Sequence, residues 1–324
     1  MIRLEEAQQL IEQEIKRLNL NLEPANLYEP ISYILSLGGK RLRPSMALMG
    51  CSMFGSSVDA AIAPALGIEI FHNFTLLHDD IMDNALLRRN KATVHSKWNS
   101  NIAILSGDAM SIMAYQYISR SPEKVLKEVL NVFSKTALEV CEGQQYDMNF
   151  ETEANVSAEA YLKMIELKTS VLLAASLKIG ALIGGAQETD ANKLYDFGRF
   201  AGLAFQLQDD LLDTFGEEAV FGKSIGGDIR ANKKTFLLIK ALEKATVKDR
   251  TVLVQMLNQK QTNQEEKVSR VTEIYKKYSI PELTEQKIDE LFNASLESLK
   301  SLPVDNHKKE ALEELAHKLV VRSK

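Results

Sequence analysis

Apolar residues recur at intervals of three and four along nearly the whole chain, the period of a helix with one buried face. Residues 3–19 place Leu4, Ala7, Ile11, Ile15 and Leu18 on one stripe and predict an amphipathic helix. A second helix is expected after Pro24, ending at Gly38-Gly39, and a third from Pro44 to about Phe54. Long helices are predicted over residues 58–84, 101–119, 122–148, 157–183 and 189–214. Several of these are apolar on more than one face, as the central helices of a bundle are. Beyond residue 233 the pattern shortens and gains Lys and Glu, which predicts peripheral helices. No proline occurs between Pro122 and Pro281, and no segment reads as a convincing strand. Without a repeat, a low-complexity tract or a linker, the expectation is all-α: a single large helical bundle, one domain over residues 1–324.

Composition narrows the class without changing that picture. The chain is 45% hydrophobic and 26% charged, ordinary for a globular protein. A net charge of -5 argues against a general nucleic-acid binder. Cys51 and Cys141 are too few for a disulfide framework or a zinc site and suit a reducing compartment. The segment MIRLEEAQQL is acidic and amphipathic, unlike a signal peptide. No apolar run is read as reaching the roughly 18 residues of a membrane span. The expectation is a cytoplasmic protein with no integral membrane segment.

Two aspartate pentads carry the chemistry. Asp79, Asp80 and Asp83 form DDIMD, and Asp209, Asp210 and Asp213 form DDLLD. Each closes a long apolar helix, after LGIEIFHNFTLLH and FAGLAFQLQ. Residues i and i+4 share a helix face, so Asp79 lies over Asp83 and Asp209 over Asp213. The placement is unfavourable. Carboxylates near a helix C-terminus oppose the macrodipole by roughly 0.3–1 kcal/mol each, and like charges one turn apart repel. A chain that does this twice is expected to hold cations there. Carboxylate oxygens suit a hard ion, and magnesium commonly binds one or two of them plus substrate phosphates.

Basic residues accompany both pentads. Arg88 and Arg89 follow the first in LLRRNKATVH. GGKRLRP supplies Lys40, Arg41 and Arg43 after two glycines, whose backbone can approach an anion closely. Lys168, in ELKTS, lies within an otherwise apolar helix, a costly place for a lysine. Lys223 and Lys233 follow the second pentad in FGKSIGGDIRANKK. Carboxylates, magnesium and a ring of Lys and Arg together describe a diphosphate clamp.

With these motifs in order, from about Leu35 to Thr235, the sequence resembles the trans-isoprenyl diphosphate synthases, or polyprenyl synthetase family. DDIMD resembles the family's first aspartate-rich motif and FQLQDDLLD its second. GGKRLRP, IEIFHNFTLLHDD, the RRN segment, the KT pair and the GGDI loop also match in order. The resemblance implies an isoprenoid-synthase-type bundle around a central apolar cavity, and a homodimer. It implies that Asp79, Asp83 and Asp209 bind magnesium while Asp80, Asp210 and Asp213 support the metal and its water. Arg88, Lys168, Thr169, Gln206, Lys223 and Lys233 would hold an allylic diphosphate. Lys40, Arg43, His72 and Arg89 would hold isopentenyl diphosphate. Helix spacing agrees for His72, seven residues before Asp79. Two departures are Asn90, where the family often has glycine after the arginine pair, and an extra residue between Lys223 and Asp228.

The implied reaction lengthens an allylic isoprenoid diphosphate by one isopentenyl unit per cycle. Magnesium and cationic side chains would stabilise the leaving diphosphate, and a dry cavity would keep water from the cation. Phe71, Phe74 and Thr75, on the approach to the first pentad, are the candidates for setting product length. Thr75 is small and nearly in line with Asp79, roughly 6 Å along the helix, and Phe71 lies roughly 12 Å away. Phe74 resembles the aromatic found in enzymes making a twenty-carbon product, although ideal-helix angles place it off the Asp79 face. Geranylgeranyl diphosphate is the favoured product and farnesyl diphosphate the next. The rivals are a terpene cyclase, which needs no second basic site, and a metal-dependent phosphohydrolase, for which five histidines are too few. A non-catalytic subunit of a heteromeric synthase would be expected to lose carboxylates that are whole here.

Overall fold

A computed structural model describes residues 1–55, 57–153, 155–216, 225–258 and 263–320. The elements of the first half are α1 (Leu4–Arg17), α2 (Ala25–Ser36), α3 (Leu42–Phe54), α4 (Asp59–Met82), β1 (Leu87–Arg88), β2 (Lys91–Ala92), α5 (Val94–Lys97), α6 (Ser100–Ile118) and α7 (Leu126–Thr152). The remainder are α8 (Ala158–Ile165), α9 (Val171–Gly184), α10 (Glu188–Phe215), α11 (Gly227–Arg230), α12 (Phe236–Lys244), α13 (Val247–Asn258), α14 (Gln264–Lys277), α15 (Ile280–Lys300) and α16 (Asn306–Val320). The fold is all-α. The chain divides into two compact units.

The first unit comprises Met1–Lys135, Ala175–Tyr195 and Pro303–Ala311. Its axis is α4, paired along its length with α6 and flanked by α3. α4 is apolar nearly all round, and Ala61, Ala65, Ile68, Ile70, Phe71 and Leu77 are buried. α1 lies on α3 and α4 through Ala7 and Ile11, both fully buried. The second unit comprises Thr136–Ala174, Asp196–Leu302 and Leu312–Lys324. Here α12 packs on α8, α14 and α15, and α14 also covers α11.

The predicted long helices form, with boundaries shifted by a few residues and three local differences. A short 3₁₀ turn, Glu123–Val125, precedes α7. Between α8 and α9 the helix widens into a π turn, Glu166–Ser170, where an unbroken helix was expected. A strand pair exists where none was expected: β1 and β2 pair Leu87 with Ala92 and Arg88 with Lys91. Its central residues Arg89 and Asn90 have φ of 53° and 61°, positive at both positions as a type I′ hairpin turn requires. Asparagine tolerates that region, so Asn90 can do what a glycine would.

The helices after residue 233 are not all peripheral. α12 buries Phe236, Leu237, Leu238, Ile239 and Ala241, because its first turn, FLLI, is apolar on every side. The buried stripe of α14 holds Lys267, Val271, Ile274 and Tyr275. Two helical stretches, Asp59–Met82 and Ala158–Gly184, also prove long and apolar enough to span a bilayer by length and composition. Their most apolar stretches are 61% and 78% buried inside the protein, the pattern of core helices.

Candidate active site

The first pentad occupies the last turn of α4. Asn84, with φ of 51°, ends that helix. Its N–H donates to the Ile81 carbonyl at 3.2 Å, and the Ala85 N–H donates to that of Asp80 at 2.9 Å. This paired arrangement is a Schellman cap. It turns the chain into the β1–β2 hairpin, which brings Arg88 back onto the pentad. The Arg88 guanidinium donates from Nε to both Asp80 oxygens at 2.9 Å and approaches Asp79 at 3.5 Å. Asp80 is buried, Asp79 is half-buried and Asp83 is exposed. The three carboxylates are therefore not equivalent: Asp80 is bound to protein, while Asp79 and Asp83 are the more accessible pair.

A basic group lies beside α4 in the same unit. Gly38, Gly39 and Arg41 all have positive φ and form the turn into α3. The Arg89 guanidinium rests on Gly39, 2.9 Å from where a Cβ would be. Arg43 NH1 lies 3.1 Å from His72 Nε2. Burial pushes the His72 imidazole well below its usual range, and Arg43, Arg89, Arg88 and Arg41 push it further, so it is neutral and accepts from Arg43. Burial also lowers Arg43 to about 10, which leaves it charged at neutral pH. Arg43 Nε is buried and has no hydrogen-bond partner among the described residues. Arg41 differs from its neighbours. It is 4% exposed, donates to Glu12, Glu69 and the Leu35 carbonyl, and is structural. Gln8 donates to the Lys40 carbonyl at 2.6 Å, so α1 holds this loop.

Farther along α4 is a set of aromatic contacts. Phe71 meets Phe74 and Phe133 at 5.4 and 5.2 Å between ring centroids, Phe133 meets Tyr115 at 5.0 Å, and Phe74 meets His78 at 4.8 Å. Phe71 is buried and Phe74 half-buried. The Thr75 hydroxyl donates to the His72 carbonyl at 2.8 Å.

The second unit holds the second pentad, in the last two turns of α10. Asp210 is buried, accepting from the Tyr161 hydroxyl on α8 and from Gln206 Nε2 at 3.2 Å. Burial raises its carboxyl to about 8; Asp228 and Asp209 add to the rise, and the two donors oppose it. Asp213 Oδ2 accepts the Asp228 N–H at 2.8 Å, and the Asp213 carbonyl accepts that of Gly226. Asp213 thereby fastens the GGDI loop to the end of α10. Asp209 is half-buried. Each pentad thus has its second aspartate buried against protein donors, Asp80 against Arg88 and Asp210 against Tyr161 and Gln206.

Lys168 and Thr169 sit in the π turn. Such turns displace side chains from the regular helical positions and are frequent at functional sites. Lys168 Nζ donates to Asp147 Oδ2 on α7 at 2.6 Å, and Thr169 Oγ1 lies 3.5 Å from Gln206 Oε1. The close packing of α7 here depends on Gly143, where a Cβ would come within 2.3 Å of the Lys168 backbone nitrogen. Lys233 approaches Asp228 at 3.7 Å. Lys223 lies outside the described residues. Among the described residues no three carboxylate, imidazole or thiol groups converge into a metal cage.

The Polyprenyl synthetase family profile matches residues 24–275. The chain belongs to the polyprenyl synthetase family. A geranylgeranyl diphosphate synthase from Methanosarcina mazei is 44% identical over 229 residues, covering 70% of each chain. A solved geranylgeranyl pyrophosphate synthase is 42% identical, with a TM-score of 0.94 and full coverage of both chains. A geranylgeranyl pyrophosphate synthase from Corynebacterium glutamicum, solved with isoprenyl diphosphate and magnesium, is 26% identical with a TM-score of 0.85, covering 99% of this chain and 98% of the other. The fold is accordingly the all-α isoprenoid synthase fold.

Within this polyprenyl synthetase, sequence reasoning missed Tyr161 and Asp147, the side-chain partners of Asp210 and Lys168. Tyr161 reads as an ordinary core aromatic on the amphipathic α8. The signal for Asp147 was weak, a carboxylate one turn after Gly143 on a mixed helix.

Proposed function

We propose that this prenyltransferase condenses isopentenyl diphosphate with an allylic diphosphate and stops at the twenty-carbon geranylgeranyl diphosphate, with farnesyl diphosphate as the shorter alternative. A single catalytic domain over residues 1–324 is the proposed organisation. The observation that carries this reading is Arg43: a cation beside neutral His72, with a buried N–H that no described protein atom accepts. A terpene cyclase has no use for such an anion site in addition to an aspartate pentad.

The donor set fits magnesium. It consists of carboxylate oxygens without nitrogen or sulfur, and magnesium is satisfied by few protein ligands plus phosphates and water. Asp79 and Asp83 would hold it from α4, and Asp209 from α10. Asp80 and Asp210, whose oxygens are engaged by protein donors, would orient the neighbouring carboxylates, and Asp213 would fix the GGDI loop. Magnesium, when bound, supplies Lewis-acid neutralisation of the diphosphate. Arg88, Lys168, Thr169, Gln206, Lys223 and Lys233 would bind the allylic diphosphate and stabilise its charge as the carbon–oxygen bond breaks. Lys40, Arg43, His72 and Arg89 would hold isopentenyl diphosphate while its double bond attacks the allylic carbon. The proton is then lost to the released diphosphate. The Phe71–Phe74 pair, braced by Phe133, would bound the growing tail.

A homodimer is the proposed assembly, supported by Leu105 and Ile112 of α6, which are seven residues apart on one stripe and 60% and 63% exposed. The proposed location is the cytoplasm. The test is incubation of the purified chain with labelled isopentenyl diphosphate, magnesium and allylic primers of rising length, followed by chromatography. Geranylgeranyl diphosphate is the expected end product, and Phe74→Ala should lengthen it. Products independent of isopentenyl diphosphate would reject the reading in favour of a cyclase, and an unchanged product distribution would reject the role of Phe74.

A further inference from the structure

Lys267 is among the largest fully buried side chains of the described structure, at 2% exposure. Lysine is almost never found there without a polar partner that needs it. It sits in the first turn of α14, on the same stripe as Val271, Ile274 and Tyr275. The opposite face of the helix is solvated, with Arg270 paired to Glu266 across two half-exposed side chains. Its ammonium donates to Asn232 Oδ1. Burial lowers the pKa of the amine, so the position is an unfavourable one that a structural need must offset.

Asn232 is a backbone hinge point. Its φ is 57°, and it ends α11 as the left-handed residue of a second Schellman cap. The Asn232 N–H donates to the Ile229 carbonyl at 3.2 Å, and the Lys233 N–H donates to that of Asp228 at 2.9 Å. Lys233 therefore follows directly from the residue that Lys267 holds. One residue further along α14, Val268 lies on Gly226, 2.7 Å from where a Cβ would be, at the other end of α11. Ile229, Asn232, Lys233, Leu238, Val271 and Tyr275 line the underside of this turn around a cavity of only about 10 Å³. The Lys267–Asn232 bond supplies a directional constraint there.

We infer that Lys267 is a positioning residue for the allylic-diphosphate end of the site, acting through Asn232 to fix the turn that presents Lys233. The inference deepens the proposed function and rests on the role given there to Lys233. It assigns a part in recognition to a helix outside the motif-bearing stretch of the chain.

The decisive variants are Lys267→Met, which fills a similar length without charge, and Asn232→Gly, which removes the acceptor and keeps the left-handed backbone. Steady-state kinetics should show KM for the allylic diphosphate rising roughly 10-fold in each, a loss of about 1.4 kcal/mol in binding, with KM for isopentenyl diphosphate unchanged. The double variant should be no worse than either single one, because both remove the same bond. A general loosening of the fold would move both constants together. An unaltered allylic KM, equal changes for the two substrates, or additive losses would overturn the inference. Calorimetric titration with inorganic pyrophosphate reads the same turn without turnover. Weaker binding by Lys267→Met supports the inference even if the wild-type chain fails to condense the substrates, whereas unchanged binding rejects it.

Discussion

At the residue scale, the pentads divide labour between adjacent aspartates. Consecutive residues on a helix point about 100° apart, so a D-D pair cannot present both carboxylates to one ligand with equal ease. Here Asp80 and Asp210 turn inward to protein donors, and Asp79 and Asp209 stay half-buried. The pentads and the Lys/Arg segments were legible because charge in an apolar context is conspicuous. Which aspartate turns inward was not, because it depends on a hairpin and on a tyrosine from another helix. His72 offers a test of the electrostatics. Its folded-state pKa is depressed, so below about pH 6.5 the unfolded chain takes up a proton that the folded chain refuses. Stability tied to His72 is present above that pH and is lost as the pH falls toward the folded-state value. His72→Asn should therefore show a smaller drop in melting temperature between pH 7 and pH 5 than the parent, and parallel drops would refute the assignment.

At the scale of elements, periodicity located the long helices because a buried face must repeat with the helix turn. It could not locate the π turn at Glu166–Ser170, since one extra residue in a turn leaves an apolar pattern nearly intact where every face is buried. It also misjudged α14, whose alternating Glu and Lys suggested a solvated helix although Lys267 is inside. The π turn depends on its neighbour. Gly143→Ala would push a methyl into the Lys168 backbone. Overpacking of this kind costs about 1–3 kcal/mol, and here it also displaces Lys168. The expected result is a lower melting temperature together with a reduced kcat. A stable, fully active variant would show that the close approach is dispensable.

For the whole molecule, an all-α fold followed from the sequence, and family membership rests on residues 24–275. The proposed self-association belongs to this scale. An exposed stripe of Leu105 and Ile112, with Ile104 at 44%, is more apolar surface than a solvated helix face requires. Leu105→Glu should convert the protein from dimer to monomer in analytical ultracentrifugation. A wild-type chain that sediments as a monomer, or a variant that remains dimeric, would rule out this face.

The first helix has a consequence for anyone shortening the protein. α1 reaches the turn before α3 twice, from Gln8 to the Lys40 carbonyl and from Glu12 to Arg41. It works as a splint on the backbone that carries Lys40 and Arg43. Trimming the first seventeen residues would take the splint away and strand half of Arg41's counter-charge, so the harm would surface well downstream of the cut, as poorer capture of the smaller substrate.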